Sequence, residues 1–457
     1  MSIAEELVST VVDTAYAALP EAAVSRAKWR IIDTVGCILA GANAAGCSGA
    51  VDLVRSWGGV GQSAILGHDL RAPAHNAAMV NSLMARSFDF EPVEAEGETK
   101  SSPAHISGTT VPTALAVADW RTASGKDLLA ALILGDDLAA RLATASGFDF
   151  KLGWDNTGTV NCFGAAAITS RLMGLGHKET GHAFGIALNQ VAGSMDGVWD
   201  KAMSFKLGMA LAARTGIFSA ELATQGFTAS KDPFLGRHGY FNLYCRDHDV
   251  SALNKDLGQR FYADRVIKPH SACRATHGAI DAALKIARSE EIRSENVKEI
   301  VVLVPPWIID GFTGQPFHPA QAATAQIEGA FSVRYTVATA LLRKAVKPAY
   351  FSDDCLRDPA IQTLIERMKL LPIEAGTPVA AEVRVTLRDD RVLVGNTDFA
   401  RGDIARTPLS EEEIRAKFRD NAGLSRTVPM PRAERALRLL EGLEEVGDVR
   451  DITTLLA

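Results

Sequence analysis

The stretch RSFDFEPVEAEGETKSSPAHISGTTVP, residues 86 to 112, concentrates residue types that move protons. Asp89, Glu91, Glu94, Glu96 and Glu98 crowd ahead of His105, and SGTT with Pro112 follows. An imidazole titrates near neutral pH, and a neighbouring carboxylate can orient it or share its proton. Asp89 is the expected partner of His105, which makes the two a candidate acid–base couple. The plain alternative is a solvated charge run, the commoner fate of such a loop.

A second concentration lies in KPHSACRATHGAIDAAL, where Lys268, His270, Arg274 and His277 precede a small-residue helix. Guanidinium groups and the free N–H groups of a helix N-terminus both favour a carboxylate, so this is a candidate anion cradle. A capped helix with a satisfied histidine is the competing reading. Cys273 and His277 stand four apart, on one helical face, but two ligands do not make a metal site. Lys201 and Lys206 lie in SMDGVWDKAMSFKLGMALAARTG. A lysine beside an apolar helix can have its pKa lowered and act as base or anion anchor, although most lysines reach solvent. The segment GGVGQSAILG partly matches a dinucleotide fingerprint, but its order of helix, glycines and strand is reversed, so it reads as a turn. No Walker A, HExxH, GxSxG or EF-hand pattern occurs.

These groups must be held by a scaffold whose pattern changes along the chain. Residues 1 to about 260 are rich in Ala, Leu and Gly at helical spacing. The first twenty residues read as an amphipathic helix ending at Pro20, not as an export signal. Ser124 with Asp127 forms a capping arrangement, and the small residues of GAAAITSRLMGLG permit close helix packing before the glycines end the helix. After about residue 265 the pattern alternates. VKEIVVLV, stopped by Pro305, and the run of Val383, Val385 and Leu387 predict strands, and Asp389-Asp390 predicts a hairpin into RVLVG. FSVRYTVATALLRKA and DPAIQTLIERMKLL predict helices between them. Ser410 with Glu413 predicts a capping box, and Glu413 stands four before Lys417, the spacing of a helical ion pair.

Composition narrows the class. The 457 residues are 47% hydrophobic and 22% charged, the balance of a globular protein with a large core. A formal charge of -6 and the lack of a dense basic run argue against nucleic acid. Apolar stretches are interrupted too often to span a bilayer. Six scattered cysteines without a CxxC pair fit a reducing, cytoplasmic setting.

Taken in order, NSLMARSFDF with AHISGTTVPTALA, GWDNTGTVNCFGAAAITSRLMGLG, ALNQVAG, AARTGIFSAELATQGFT, KPHSACRATHGAIDAAL and GAFSVRYTVATALL resemble the MmgE/PrpD family over nearly the whole chain. The resemblance implies a mainly α fold: a large all-helical domain, residues 1–264 with 405–457, and a smaller α/β lid domain, residues 265–404. It also implies a homodimer, a cleft between the domains, and chemistry without a metal or an organic cofactor. Carried over by position, Asp89, His105, Lys206 and His277 are the expected catalytic residues. Lys268, Arg274, Lys201 and Asp155 are expected to bind substrate, with Lys206 preferred over Lys201 as the family's lysine. The sequence departs from the pattern at Glu91 and Pro92, where aspartates are usual, and at Asp155 and Asn156, where His and Pro are usual. A carboxylate at Asp155 disfavours a substrate carboxylate there, so the substrate is expected to carry fewer carboxylates, or a hydroxyl or amine.

The implied chemistry is proton handling at a carbon alpha to a carboxylate of a small di- or tricarboxylic acid. Its barrier is the negative charge that develops on an enediolate-like species, which cations lower. Dehydration is the first expectation. Decarboxylation of the cis-aconitate type and epimerisation of the iminodisuccinate type use the same groups, and a non-catalytic dicarboxylate-binding protein is the alternative from another class.

Overall fold

The structure, a computed structural model, describes residues 1–148, 152–318 and 322–457. Helices dominate, and the strands form small sheets. One apolar core draws on residues between Ala4 and Ile267 and, from the far end of the chain, between Ile414 and Leu456. A second draws mainly on Ala272 to Leu387, joined by Met195, Val198 and Phe205 from the helical part. The C-terminal helices Glu411–Ser425 and Met430–Glu441 therefore return to the first core.

Local signals explain most of the elements. Ser124 caps the helix Gly125–Ala145 through a full capping box with Asp127, and Ser410 does the same with Glu413 for Glu411–Ser425. Gly125–Ala145 packs on Asn156–Leu172 at close range, because a side chain at Gly135 would come within 2.7 Å of the Gly164 carbonyl. In the second core, Val297–Val304 pairs in parallel with Met368–Pro372 and antiparallel with Ala381–Leu387. Ala381–Leu387 turns at Asp389 and Asp390 into Val392–Thr397, and Asp390 takes a φ of 64° in the turn. Val383, Val385 and Leu387 face the core, as their alternation requires.

Some elements differ from expectation. The first helix, Ile3–Asp13, stops well before Pro20, and a short 3₁₀ turn at Tyr16–Ala18 leads into Glu21–Gly41. The DPAIQTLIERMKLL segment is helical only over Pro359–Glu366; Met368 onward is pulled into a strand, because the free edge of Val297–Val304 supplies backbone partners. Lys417 does not pair with Glu413. It is buried, with Nζ 2.7 Å from Asp33 Oδ1, and Glu413 pairs with Arg401. The helical part also carries two small sheets. Ser63–Ala64 pairs with Arg71–Ala72, and Val93–Glu96 pairs with both Ser101–Ser102 and Asp264–Val266. The acidic loop is thus a hairpin sewn to the strand that leads into Lys268.

Candidate active site

Three elements deliver the central charges. The helix Ala74–Arg86 ends on Arg86, the turn after it holds Asp89 and Glu91, and His105 stands just ahead of the helix Ser107–Arg121. That helix begins where Asp264 accepts hydrogen bonds from the backbone N–H groups of Ile106 (3.2 Å) and Ser107 (2.7 Å). His105 is fixed on the other side by Thr157 Oγ1, 3.2 Å from its backbone nitrogen, and by Asn161 Nδ2, which donates to its carbonyl at 2.7 Å. Asp89 and Glu94 adopt φ of 48° and 68°, left-handed values that are strained for residues with a side chain. Such strain persists only where surrounding contacts hold it, and here an ion cluster does.

In that cluster Arg86 Nη1 bonds Asp89 Oδ1 and lies 2.8 Å from Glu91 Oε1. Lys268 Nζ lies 3.0 Å from Asp89 Oδ1 and donates to the Asp89 carbonyl at 2.7 Å. His105 Nδ1 is 2.8 Å from Glu91 Oε1, whereas its Nε2 is 3.8 Å from Asp89 Oδ1. Glu91, and not Asp89, is therefore the carboxylate that orients the imidazole. The reason is local: Asp89 is already engaged by Arg86 and Lys268. An ionised carboxylate only accepts, so the proton of the neutral ring resides on Nδ1 and Nε2 keeps its lone pair.

The charge states follow from burial and neighbours. Burial would raise the Glu91 carboxyl, but Arg86 and His105 outweigh it and hold Glu91 well below the usual carboxylate range. Asp89 is likewise lowered, burial being overcome by Lys268 and Arg86. Burial, then Arg86 and Lys268, lower His105, with Glu91 opposing. His105 is thus a neutral base held by a permanent anion. Asp89, Glu91 and His105 also place ligand atoms within 4.8 Å of one another, the donor set of a small metal site. Arg86 Nη1 sits among those donors, 3.2 Å from His105 Nδ1, and Lys268 neutralises Asp89 as well. A divalent cation would face a guanidinium at contact distance, so this donor set does not suit one.

A cavity of about 560 Å³ opens in front of the cluster, lined by residues between 86 and 198 of the helical part and between 265 and 406 of the sheet-bearing part. Arg86, Asp89, His105, Asp155 and Arg274 reach it, with an apolar wall of Met195, Val198, Phe312 and Phe331. Asp155 also caps the helix Asn156–Leu172, accepting from Thr157 N at 3.0 Å. Arg274 has three protein acceptors: Glu94 Oε1 at 3.2 Å, the Arg401 carbonyl at 2.6 Å and the Ala400 carbonyl at 3.1 Å.

The chain matches the MmgE/PrpD N-terminal domain over residues 5–253 and the MmgE/PrpD C-terminal domain over residues 270–444. It belongs to the MmgE/PrpD family. Among curated relatives, the cis-aconitate decarboxylase-like protein oryM of Aspergillus oryzae is 25% identical over 484 positions, covering 100% of this chain and 97% of its own. The cis-aconitate decarboxylase of Homo sapiens is 25% identical over 474 positions, covering 100% and 94%. That of Aspergillus terreus is 23% identical over 462 positions, covering 96% and 92%.

The other residues expected from this MmgE/PrpD chain lie behind or beside the cavity. Lys268 is fully buried behind Asp89 and reaches the cavity only through that carboxylate. His277 is also fully buried. Its Nε2 lies 3.1 Å from the Ala272 carbonyl, its ring 5.1 Å from that of His270, and burial, then His270, Arg274 and Lys268, lower its pKa far below the usual range. Lys206 donates to the Ala45 carbonyl at 2.7 Å and is lowered by burial, so it braces the turn after Glu21–Gly41. Lys201 donates to the Phe312 carbonyl at 2.7 Å, with Nζ 5.5 Å and 5.7 Å from the Phe312 and Phe331 ring centroids; burial brings it to about 8. Neither Lys206 nor His277 lines the cavity: Lys206 Nζ and His277 Nε2 each meet a backbone carbonyl, and His277 Nδ1 is buried without a hydrogen-bond partner among the described residues. Nor does Lys268 face a substrate directly. The Cys273 thiol, pushed up to about 12 by burial, stays neutral beside the cavity and forms no couple with His277.

Sequence reasoning missed Arg86, which reads as an ordinary basic residue in the last turn of a helix. It also missed Lys100, Arg265 and Arg406, which line the cavity mouth. Arg265 is paired with Asp403 at 2.7 Å, and Arg406 stacks 4.4 Å above the Phe399 ring. Their spacing carries no motif, although Arg265 lies only three residues before Lys268.

Proposed function

We propose that this chain is a lyase that acts, without a metal or organic cofactor, at the carbon alpha to a carboxylate in a small di- or tricarboxylic acid. The observation that carries the reading is the neutral His105, held on Nδ1 by buried Glu91, with Nε2 3.5 Å from Arg86 Nη1 at the cavity. Arg86, Lys100, Arg265, Arg274 and Arg406 line that cavity, as do Asp89, Glu94, Asp155 and Asp403. Arg406 and Lys100 take substrate carboxylates at the mouth, and Arg86 stabilises the developing enediolate charge beside His105. Asp89 and Lys268 hold Arg86 and the strained turn. Lys206 and His277 are positioning residues. The helical body is taken as residues 1–264 with 405–457 and the lid as 265–404.

Decarboxylation is the favoured reaction. The relatives named cis-aconitate decarboxylase align along nearly the full chain, and the apolar wall of Met195, Val198, Phe312 and Phe331 disfavours a charged carboxylate over neutral CO₂. In that reading His105 rests neutral; C–C cleavage releases CO₂, and the carbanion takes a proton that His105 passes on from solvent through Nε2, with Glu91 stabilising the transient imidazolium. Dehydration needs an acid for the leaving hydroxide. Lys201, brought to about 8 by burial, stands against Phe312 and Phe331 but does not line the cavity. That reading therefore requires its side chain to leave the Phe312 carbonyl and swing past the wall. Incubation with cis-aconitate-like, citrate-like and malate-like acids, following CO₂ release and unsaturated-acid absorbance, separates the two. CO₂ without hydration change supports the first; absorbance gain without CO₂ supports the second. Turnover of none of these acids would count against a lyase and favour a binding protein.

A second copy of the chain is the partner in this reading. Leu53 and Trp57 on Cys47–Trp57, with Leu207, Leu211 and Phe218 on Leu207–Thr224, leave large apolar side chains exposed. Mass measured by light scattering tests it. The cytoplasm is the proposed location, supported by six unpaired cysteines. Among the described residues no helix is long and apolar enough to cross a membrane.

A further inference from the structure

A second cleft, about 520 Å³, lies between the helix Glu411–Ser425 and the turn at residues 344–349, on the far side of the Asp89–Lys268 pair. Its lining is basic, with Arg288, Lys344, Lys347, Arg401 and Lys417 against Glu413 and Asp420. Three of those cations are engaged: Lys347 with Asp420, Arg401 with Glu413, and Lys417 with Asp33. Arg288 and Lys344 are exposed and have no ion-pair partner among the described residues. In a chain of formal charge -6, two uncompensated cations at one cleft attract an anion.

The wall behind the cleft is shared with the reaction centre. Phe90 and His270 line the cleft; Phe90 follows Asp89, and Lys417 Nζ donates to the Phe90 carbonyl at 2.7 Å and the Lys268 carbonyl at 2.9 Å.

We propose that this cleft binds a small dianion bearing carboxylate or phosphate groups, held by Arg288 and Lys344, in contact with the backbone that positions Asp89 and Lys268. The ligand is distinct from the substrate in the first cavity. Its occupancy would stiffen the segment under the ion cluster, so binding here would alter turnover without touching the reacting atoms.

The test is calorimetric titration of the full chain with inorganic phosphate and, separately, with succinate. It is run on wild type, on the double variant Arg288→Glu/Lys344→Glu, and on His105→Ala. Both substituted cleft residues are exposed, so folding is expected to be retained, and circular dichroism verifies it. The expected result is saturable binding of at least one probe, weakened about tenfold or more in the double variant. His105→Ala should leave that binding unchanged. Phosphate alone, succinate alone or both binding in this way identifies the accepted group. Binding of neither probe, binding indifferent to the double variant, or binding lost in His105→Ala alone would overturn the proposal. None of these readouts depends on which reaction the first cavity catalyses.

Discussion

Replacing Glu91 by Gln removes one charge and keeps the shape. In the native site the Glu91 carboxylate is buried and lies 2.8 Å from His105 Nδ1 and 2.8 Å from Arg86 Nη1. A unit charge pair at that separation interacts by about 6 kcal/mol at an effective dielectric near 20, a ceiling for what protonated His105 can gain from Glu91. A charge-assisted hydrogen bond contributes about 1.5–3 kcal/mol net, which corresponds to a loss of roughly 10- to 150-fold in kcat. If the amide presents its NH₂ to Nδ1, the ring proton is driven to Nε2 and the loss is larger, because the wrong tautomer faces the substrate. Glu91 raises the His105 pKa, so its neutralisation moves the acid limb of the kcat/KM profile further below its wild-type position. The assay is the pH profile of turnover from about pH 4.5 to 9, with thermal unfolding as the control for folding. A rate within twofold of wild type, or an acid limb displaced to higher pH, would refute Glu91 as the orienting carboxylate.

In the wild type, burial with Arg86 and Lys268 lowers His105 from its ordinary value of 6.5, so where the neutral ring takes the proton the acid limb of kcat/KM should lie below that pH. The same shift means the unfolded chain holds more protons between the folded pKa and 6.5. Stability should therefore fall as pH drops through that window, as denaturant titration at stepped pH will record. Asp155→Asn keeps an acceptor for Thr157 N while removing a carboxylate from the cavity, so KM for a more highly carboxylated acid should fall about tenfold with a smaller change in kcat; an unchanged ratio of KM values across acids would contradict it. Lys417→Met strands buried Asp33, at a loss of about 3–5 kcal/mol in unfolding free energy, and Asp33→Asn in the same chain should restore most of it. Equal stability of the single and double variants would show that the pair carries no such coupling.

Much of the fold could be read from periodic and capping signals that act within a few residues. Ser124, Ser410 and the Asp389-Asp390 turn are of this kind, and each forms its expected element. Where a distant partner decided the outcome, local reading failed. Met368–Pro372 looks helical until the parallel edge of Val297–Val304 is present, and Lys417 looks like the partner of Glu413 until Asp33, far away in sequence, meets it in the interior. The site divides in the same way. His105, Asp89 and Arg274 stood out by residue type and Asp155 by its departure from the family's pattern, and all four reach the cavity. Lys206, His277 and Lys268 carry the same chemistry on paper, but backbone carbonyls and Asp89 engage them, and a carbonyl partner leaves no trace in a sequence. Arg86 was hidden for the opposite reason. A helix-terminal arginine is ordinary until Asp89, Glu91 and His105 converge on it.

The most direct measurement is deuterium incorporation at the carbon alpha to a carboxylate, followed by NMR in D₂O with cis-aconitate-like and malate-like acids, for wild type and His105→Ala. The account predicts label at one carbon of a turned-over acid in the wild type and a reduction of about 10²-fold or more in the variant, with folding intact. Incorporation by His105→Ala at the wild-type rate would contradict it.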